Sequence, residues 1–409
     1  MTAPNVGGLF FPHRDITKLN NRTISPLVYD KVVLAGAEAL SFRNAARLLE
    51  RLAEVKFSSR QINRIVHETG EQLHAEQAER AEQFFSGKLA CEVENVPDLA
   101  VVECDGGRIR TRQPDSGPGT HDPAWRESKV GLCMRMTSEV HEHDPAPEPP
   151  ESLQNRHYVS KLAKEVAGAV IPESESDPGE AEAISDNEPD ADDVHAVDEY
   201  KSPKRLMRTV LASVDDIKTF GRKLAAEVHR KGLNQAPRKA FVGDGMPCNW
   251  TLQKTFFPLF VAIVDFIHVI SYLYKASVAI GESEDFGWGL CADWIRACWQ
   301  GRVTDVIREL QEWLDAQPAR PDDISNDDPR EIVRVSIGYL KNNASRMDYP
   351  SYRCQGLPLT STLVESLIKE INHRVKGTEK FWNDPEGANR ILAVKAASLS
   401  EDSRLVPGW

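Results

Sequence analysis

Two apolar runs in this chain close in the same way, on an aspartate followed by glycine, and a third carboxylate sits in the first turn of a helix. The first run is Val101-Val102-Glu103-Cys104-Asp105-Gly106-Gly107 and the second is Ala240-Phe241-Val242-Gly243-Asp244-Gly245. Each is a short, near-continuous hydrophobic segment bounded by turn residues, the pattern of a strand buried on both faces. The third is Ser361-Thr362-Leu363-Val364-Glu365-Ser366-Leu367-Ile368-Lys369, which reads as a helix start. Strands and helices mixed in this order predict an α/β (mixed α+β) fold, in which polar groups collect at the carboxyl ends of strands. Taken singly, each signal has a plainer reading, because Asp-Gly is a frequent turn and the helix dipole favours a first-turn glutamate. Taken together, three carboxylates suit a site for two divalent cations about 3.5–4 Å apart, Mg²⁺ or Mn²⁺, of the kind used in phosphodiester chemistry on nucleic acid.

A net charge of −12 over 409 residues argues at first against a polyanionic partner. The charge is unevenly placed. Residues 142–199 carry 17 Asp and Glu against 3 Lys and Arg, and the rest of the chain carries 45 against 47. Outside the acidic segment the chain is compatible with binding nucleic acid locally. Its seven cysteines form no CxxC pair and read as reduced thiols of a cytoplasmic protein. The apolar stretch at 256–270 is interrupted by Pro258, Asp265 and His268, and no basic-then-apolar leader is visible, so neither a membrane span nor a secretory signal is expected.

Residues 1–25 read as a flexible lead-in, and 26–95 as a helical region. Tyr29, Val32, Val33, Ala37 and Leu40 form one stripe. Ser41 caps a helix from 42 to about 52, and after a break at 53–57 another capped helix begins at Ser58-Ser59. The exposed Arg60, Gln61, Asn63 and Arg64 of that helix suit a helix-turn-helix reader of double-stranded DNA; an ordinary three-helix packing unit fits the same pattern. Residues 96–137 change to strands: 99–104, a turn at Gly106-Gly107, a partner strand at 108–112 and a third at 129–136. Residues 138–204 form an acidic insert expected to be largely disordered, with a helix near 158–170. The segment 205–272 predicts a helix from about 213 to 231, a strand at 240–243, a short helix near 251–256 and a buried strand at 259–264. A helical insertion follows at 273–355, then a final helix within 356–385, then a tail at 386–409.

Two further groups carry chemistry. Asp265-Phe266-Ile267-His268 sets an aspartate at a strand end three residues before a histidine that opens a helix. His268 in that place orients a catalytic carboxylate or contacts a phosphate, and a partly buried histidine satisfied by its neighbour fits equally well. Beyond Glu365, Lys369, Asn372, His373 and Lys376 recur every three to four residues as a basic strip, and Phe381 and Trp382 follow. Trp382 is placed to stack on an unpaired base, while core packing is at least as good a reading of Phe381.

The blocks Asp105-Gly106, Trp125-Arg126-Glu127-Ser128-Lys129-Val130-Gly131, Val242-Gly243-Asp244-Gly245 and Ile263-Val264-Asp265-Phe266-Ile267-His268 are followed by Tyr339-Leu340-Lys341-Asn342-Asn343, Gly356-Leu357-Pro358-Leu359-Thr360-Ser361, Val364-Glu365-Ser366 and Arg374-Val375-Lys376-Gly377-Thr378-Glu379-Lys380-Phe381-Trp382. This text resembles the DDE transposases of the bacterial Kra-type insertion-sequence family, distant relatives of the Mutator-like transposases. The resemblance spans most of 26–405 outside the acidic insert, and its last block is the most specific. It implies a ribonuclease-H-like catalytic core with a helical insertion. Asp105, Asp244 and Glu365 would be its catalytic, metal-holding triad for two Mg²⁺ (or Mn²⁺) ions, with His268 catalytic and Asp265 auxiliary. Lys369, Arg374 and Lys376 would hold flanking phosphates. It further implies cutting and joining of DNA at element ends by a homodimer or larger complex. A nuclease that does not join, and a catalytically silent DNA-binding derivative, are the alternatives. The chain departs from the family in lacking a cysteine-rich zinc module and in reading Met246-Pro247-Cys248-Asn249-Trp250 after the second aspartate.

Overall fold

The computed structural model describes residues 24–92, 95–112, 124–170, 202–318, 324–376, 382 and 385–402. The predicted lead-in, apart from its last two residues, lies outside them, as does Phe381. Five strands form one mixed sheet: β1 (Leu99–Thr111), β2 (Ala124–Thr137), β3 (Lys204–Ser213), β4 (Arg238–Gly243) and β5 (Val261–Val264), in the order β3-β2-β1-β4-β5. The β1–β2 and β2–β3 pairs are antiparallel, and β1–β4 and β4–β5 are parallel. The β1–β4 ladder ends at Glu103 opposite Val242. Asp105 and Asp244 each lie two residues further on, so the strand period puts both on one face at the same level.

The strands correct the sequence reading in two places. Gly106-Gly107 does not turn the chain, because β1 runs through both glycines and pairs them with Lys129 and Ser128 of β2. The third strand of the meander is β3, on the far side of the acidic insert, where no strand was expected; the helix expected from about 213 to 231 follows it at Ile217–Arg230. The outer residues of β3, Lys204, Arg205 and Leu206, are exposed, and only from Thr209 onward is the strand buried. An edge strand with so short an apolar stretch gives little periodic signal.

Helices cover both faces of the sheet. On one face lie α5 (Ile217–Arg230) and α6 (Pro247–Phe256). A side chain at Gly131 of β2 would run into Phe220 and Leu224 of α5, and Phe241 of β4 meets Trp250 of α6 edge-on. On the other face lies α12 (Thr362–Val375), where Val364 bonds Glu103 and Asn372 lies beside Gly107. The first helices are α1 (Pro26–Glu38), α2 (Phe42–Ala53) and α3 (Ser59–Phe85). As expected, the Ser41 hydroxyl caps α2 by accepting from Asn44 N at 3.2 Å. Ser58 and Gln61 form a reciprocal capping box at the start of α3. Leu40 lies past the end of α1 and is exposed, so the predicted stripe stops at Ala37.

Two segments are more ordered than their composition predicts. Within the acidic insert, α4 (Arg156–Val170) forms as expected, and the chain leading to it is strapped onto the helical insertion. The wholly buried Arg353 takes the Asp144 carboxylate at Nε–Oδ1 2.7 Å, and its Cζ lies 4.3 Å from the Trp299 ring centroid. Trp299 Nε1 donates to Ala146 O at 2.7 Å. Paired charges offset the ordering entropy that an acidic segment cannot offset through apolar burial. Residues 171–201 of the insert lie outside the described residues. The predicted tail is mostly α13 (Pro385–Leu399), whose Ala388, Ile391, Leu392, Ala393, Val394 and Ala396 are fully buried. A helix apolar on most of its circumference lacks the amphipathic period by which helices are read.

The helical insertion comprises α7 (Phe266–Ile280), α8 (Glu284–Trp299), α9 (Val303–Asp315), α10 (Pro329–Asn343) and the short α11 (Tyr349–Cys354). It meets the sheet through Tyr349 Oη donating to Val264 O at 3.0 Å, and α6 through Trp250 Nε1 donating to Asn343 Oδ1 at 2.8 Å. No helix among the described residues is long and apolar enough to cross a membrane. All seven cysteines are free thiols.

Candidate active site

Four elements deliver carboxylates to one end of the sheet. Asp105 stands within β1 at the level where β4 ends, Asp244 follows β4, Asp265 follows β5 as the N-cap of α7, and Glu365 sits in the first turn of α12. Asp244 is fixed by its turn: Oδ1 accepts from Met246 N and Asn249 Nδ2, both at 2.8 Å. Gly245 has φ +95°, and a Cβ there would lie 2.6 Å from the Tyr339 ring, so this turn needs glycine twice over. Tyr339 Oη donates to Asp244 O at 2.9 Å and ties the turn to α10.

Asp265 is fully buried and saturated. Its Oδ1 accepts from Ile267 N at 2.8 Å; its Oδ2 accepts from His268 Nδ1 at 3.2 Å and from the Ser361 hydroxyl in a short bond. Ser361 precedes α12, but its hydroxyl is spent on Asp265 and does not cap its own helix. The missing cap comes from β1, where the buried Glu103 accepts from Val364 N at 3.1 Å through Oε2. Two buried carboxyl groups, one inside β1 and one just past β5, therefore hold the first turn of α12, and Glu365 is placed by them. Sequence reading missed Glu103. Its signal was present all the same: a charged residue inside a strand otherwise apolar on both faces.

The electrostatics reflect acid crowding. Burial pushes Glu103 up to about 8 against the Val364 hydrogen bond, with Asp265 and Glu365 adding to the rise. Burial, then Asp244, lifts Asp105 to about 6, opposed by the Gly106 amide that donates to Oδ1 at 2.6 Å. Burial and Asp265 lift Glu365 to about 7, and His268 acts in the opposite direction. Burial alone would lower His268, but the hydrogen bond and charge of Asp265, with Asp244 and Glu365, outweigh it and hold the imidazole at about 9. At neutral pH His268 is a cation inside the acidic cluster, 3.8 Å from Glu365 Oε1. That oxygen is buried with no hydrogen-bond partner. The donor atoms of Asp265, His268 and Glu365 lie within 4.8 Å of one another.

The expected nucleic-acid contacts divide. Lys369 and Lys376 are exposed on α12 and its C-cap, on the helical face that begins with Glu365. Arg374 is not available to a phosphate: it is 4% exposed, its Nε donates to Gly36 O at 3.0 Å, and its guanidinium lies 5.0 Å over Phe42. Trp382 is half-buried and its Nε1 donates to Val375 O at 3.1 Å, so the indole packs at the end of α12. On α3, Arg60, Gln61, Asn63 and Arg64 are all exposed, as expected. The Gln61 carbonyl accepts from Ser58 N at 2.9 Å within the cap, and Arg64 faces Glu68 at 3.8 Å. The helix continues along the core, where Gly70 sits so near Arg390 O of α13 that a Cβ would lie 2.1 Å away. No protein-family model matches the chain, and no curated protein matches it.

Proposed function

We propose that the protein is a DDE-type DNA transposase with a ribonuclease-H-like core, which cuts and joins phosphodiester bonds at DNA ends with two Mg²⁺ or Mn²⁺ ions. The observation that carries this reading is the delivery of Asp105, Asp244 and Glu365 from β1, β4 and α12 to the level where β4 ends, where burial first and neighbouring carboxylates second raise Asp105 and Glu365. The strand order, three antiparallel strands followed by two parallel ones, supports it, as do the motifs quoted above.

The residues fit hard divalent cations. Carboxylate oxygens are their preferred ligands, Glu365 Oε1 is buried without a partner, and the crowded negative charge calls for a counter-cation. Asp105, Asp244 and Glu365 would hold the metals, which when bound neutralise charge on the attacking and leaving oxygens of an in-line displacement. Asp265 acts otherwise. Its oxygens already accept from Ile267, His268 and Ser361, so it positions α12 and keeps His268 protonated. His268 would orient Glu365 or donate to a phosphate oxygen. A single-cation site built on Asp265, His268 and Glu365 is disfavoured, since it would have to deprotonate His268 and compete with Ile267 N and the Ser361 hydroxyl for the Asp265 oxygens. Lys369 and Lys376 supply phosphate contacts, and DNA ends are paired by a homodimer or larger assembly.

The test is strand cleavage and joining by purified protein on element-end DNA with Mn²⁺, beside Asp244→Ala and Glu365→Ala. Wild type is expected to cut and join while both variants bind DNA and leave it intact. Cutting without joining would make the protein a nuclease, and binding without cutting a silent DNA-binding derivative.

A further inference from the structure

We infer that α2 carries a duplex-binding stripe, with Arg43, Arg47 and Arg51 laid along one DNA backbone; this rests on the DNA reading above. The three arginines recur every four residues, so each stands about 40° around the helix from the last and about 6 Å further along it. All three are exposed. The packed side of α2 is Ala45 and Leu49, both buried, with Phe42 half-buried beside them. Arg47 lies about 200° around the helix from each of the two buried residues, so the arginines centre on the opposite side.

These cations have no counter-charge. None of the three is paired with a carboxylate among the described residues, and Glu50, the one acid within α2, is taken by Lys56 at 3.2 Å. Like charges at this spacing destabilise a helix, so the stripe is a cost to the folded chain that a bound polyanion removes. Leu48 and Leu52 are exposed too, but they stand about 100° on from Arg47 and Arg51, off the stripe.

Position and chemistry select the occupant. Arg374, in the last turn of α12, lays its guanidinium 5.0 Å over the Phe42 ring and donates to Gly36 O at 3.0 Å. Arg43 follows Phe42 directly, so the stripe begins beside the end of the helix whose first turn carries Glu365. Glu365 and Arg374 are about 14 Å apart along the axis of α12. A turn of duplex is about 34 Å long, so DNA with a phosphate at Glu365 covers that distance in less than half a turn. The exposed side of α2 holds no aromatic residue on which an unpaired base could stack. Arg43 to Arg51 spans about 12 Å, three to four base-pair steps of one strand. By contrast α3 turns acidic beyond its first two turns, where Glu68, Glu71 and Glu79 are exposed. A duplex that meets Arg60 and Arg64 is repelled further along α3, and α2 is the helix of the pair that follows the backbone. Arginines on phosphates give affinity without reading sequence.

The experiment measures binding of the full chain to a random-sequence duplex by fluorescence anisotropy in EDTA, titrated with NaCl. Wild type is expected to bind with a steep salt dependence. Arg43→Gln, Arg47→Gln and Arg51→Gln combined are expected to weaken binding on the order of 100-fold at about 0.1 M salt and to lower the log–log salt slope by about 2–3, since each phosphate contact contributes about 0.9. Changing the same three residues to Lys keeps the charge and is expected to restore most of the affinity. Lys218→Gln with Lys254→Gln removes exposed cations from α5 and α6, on the opposite face of the sheet, and is expected to leave the slope unchanged. Thermal midpoints at or above that of wild type show that the variants are folded. A triple variant with the wild-type slope, or a Lys218–Lys254 pair that lowers the slope as much, overturns the stripe and leaves the DNA reading standing. A wild type that binds no duplex removes both.

Discussion

Asp265 meets three donors with two oxygens, and Glu103 accepts from Val364 N in the first turn of α12, an amide that also donates to Ser361 O at 3.1 Å. Asp265 and Glu103 therefore spend their carboxyl groups on holding the site in place. Glu103 tests this role. Held up at about 8, its carboxyl is protonated at pH 7, so the amide of Glu103→Gln replaces one neutral acceptor with another of nearly the same shape. Stability within about 0.5 kcal/mol of wild type and retained cutting are expected for Glu103→Gln. Glu103→Ala leaves Val364 N with only its bond to Ser361 O at 3.1 Å, which costs about 0.5–1.5 kcal/mol and lets Glu365 drift. Urea denaturation and the cleavage assay read both effects, and identical behaviour of the two variants would show that capping is not what Glu103 does. At this scale the sequence was informative where a rule of spacing applied: Asp105, Asp244 and Glu365 each stood in a recognisable local pattern. Glu103 gave only the signal of a charge inside an apolar run, and its role was not legible because its partner is 261 residues away in the chain.

At the scale of elements, α12 divides its basic residues between two faces. Lys369 and Lys376 face solvent, while Arg374 is turned inward onto α1 and α2 through Gly36 O and Phe42. A sequence strip of cations does not separate these roles, since all the members lie within two turns and differ only in what packs against them. Arg374→Ala removes a buried, hydrogen-bonded guanidinium and its stacking, so a loss of about 1.5–3 kcal/mol of stability is expected, with the DNA affinity of the folded fraction preserved. The double change of Lys369→Ala and Lys376→Ala is expected to do the reverse: stability within about 0.5 kcal/mol of wild type, and weaker DNA binding with a shallower salt slope. Thermal melts and salt-titrated binding decide the matter, and a stability loss from the lysine pair would reverse the assignment. The same physics explains which elements were legible. Helices capped by Ser41 and Ser58 announced themselves locally, whereas β3 and α13 are defined by neighbours, β3 by its pairing to β2 and α13 by burial on nearly every side.

Across the whole molecule, one buried network joins segments far apart in the chain. Asp215, in the turn between β3 and α5, accepts from Lys223 Nζ of α5 at 2.7 Å, from His74 Nε2 of α3 at 3.3 Å and from Asn389 Nδ2 of α13 at 3.2 Å. Its backbone carbonyl accepts from Lys129 Nζ of β2 at 3.0 Å. The N-terminal helices, the sheet and the C-terminal helix are thus fastened at a single residue, the helices through its carboxylate and the sheet through its backbone carbonyl. Lys223 and the Asp215 side chain are mostly out of solvent, at 3% and 13% exposure. Burial would raise Asp215, but the hydrogen bonds from His74 and Lys223 and their charges overcome it and hold the carboxyl well below the usual carboxylate range. A folded-state pKa below that of the unfolded chain means that the unfolded state binds the proton more readily. The contribution of Asp215 is therefore fully present above the unfolded value of about 4 and is lost as pH falls from there towards the folded-state value. Asp215→Asn removes the charge that Lys223 needs, so a loss of about 3–5 kcal/mol is expected at neutral pH. Below pH 4 the difference between wild type and variant narrows, because wild type then protonates the same group. Urea midpoints of both proteins between pH 7 and pH 3 measure this directly, and parallel curves would show that the network does not depend on the charge of Asp215.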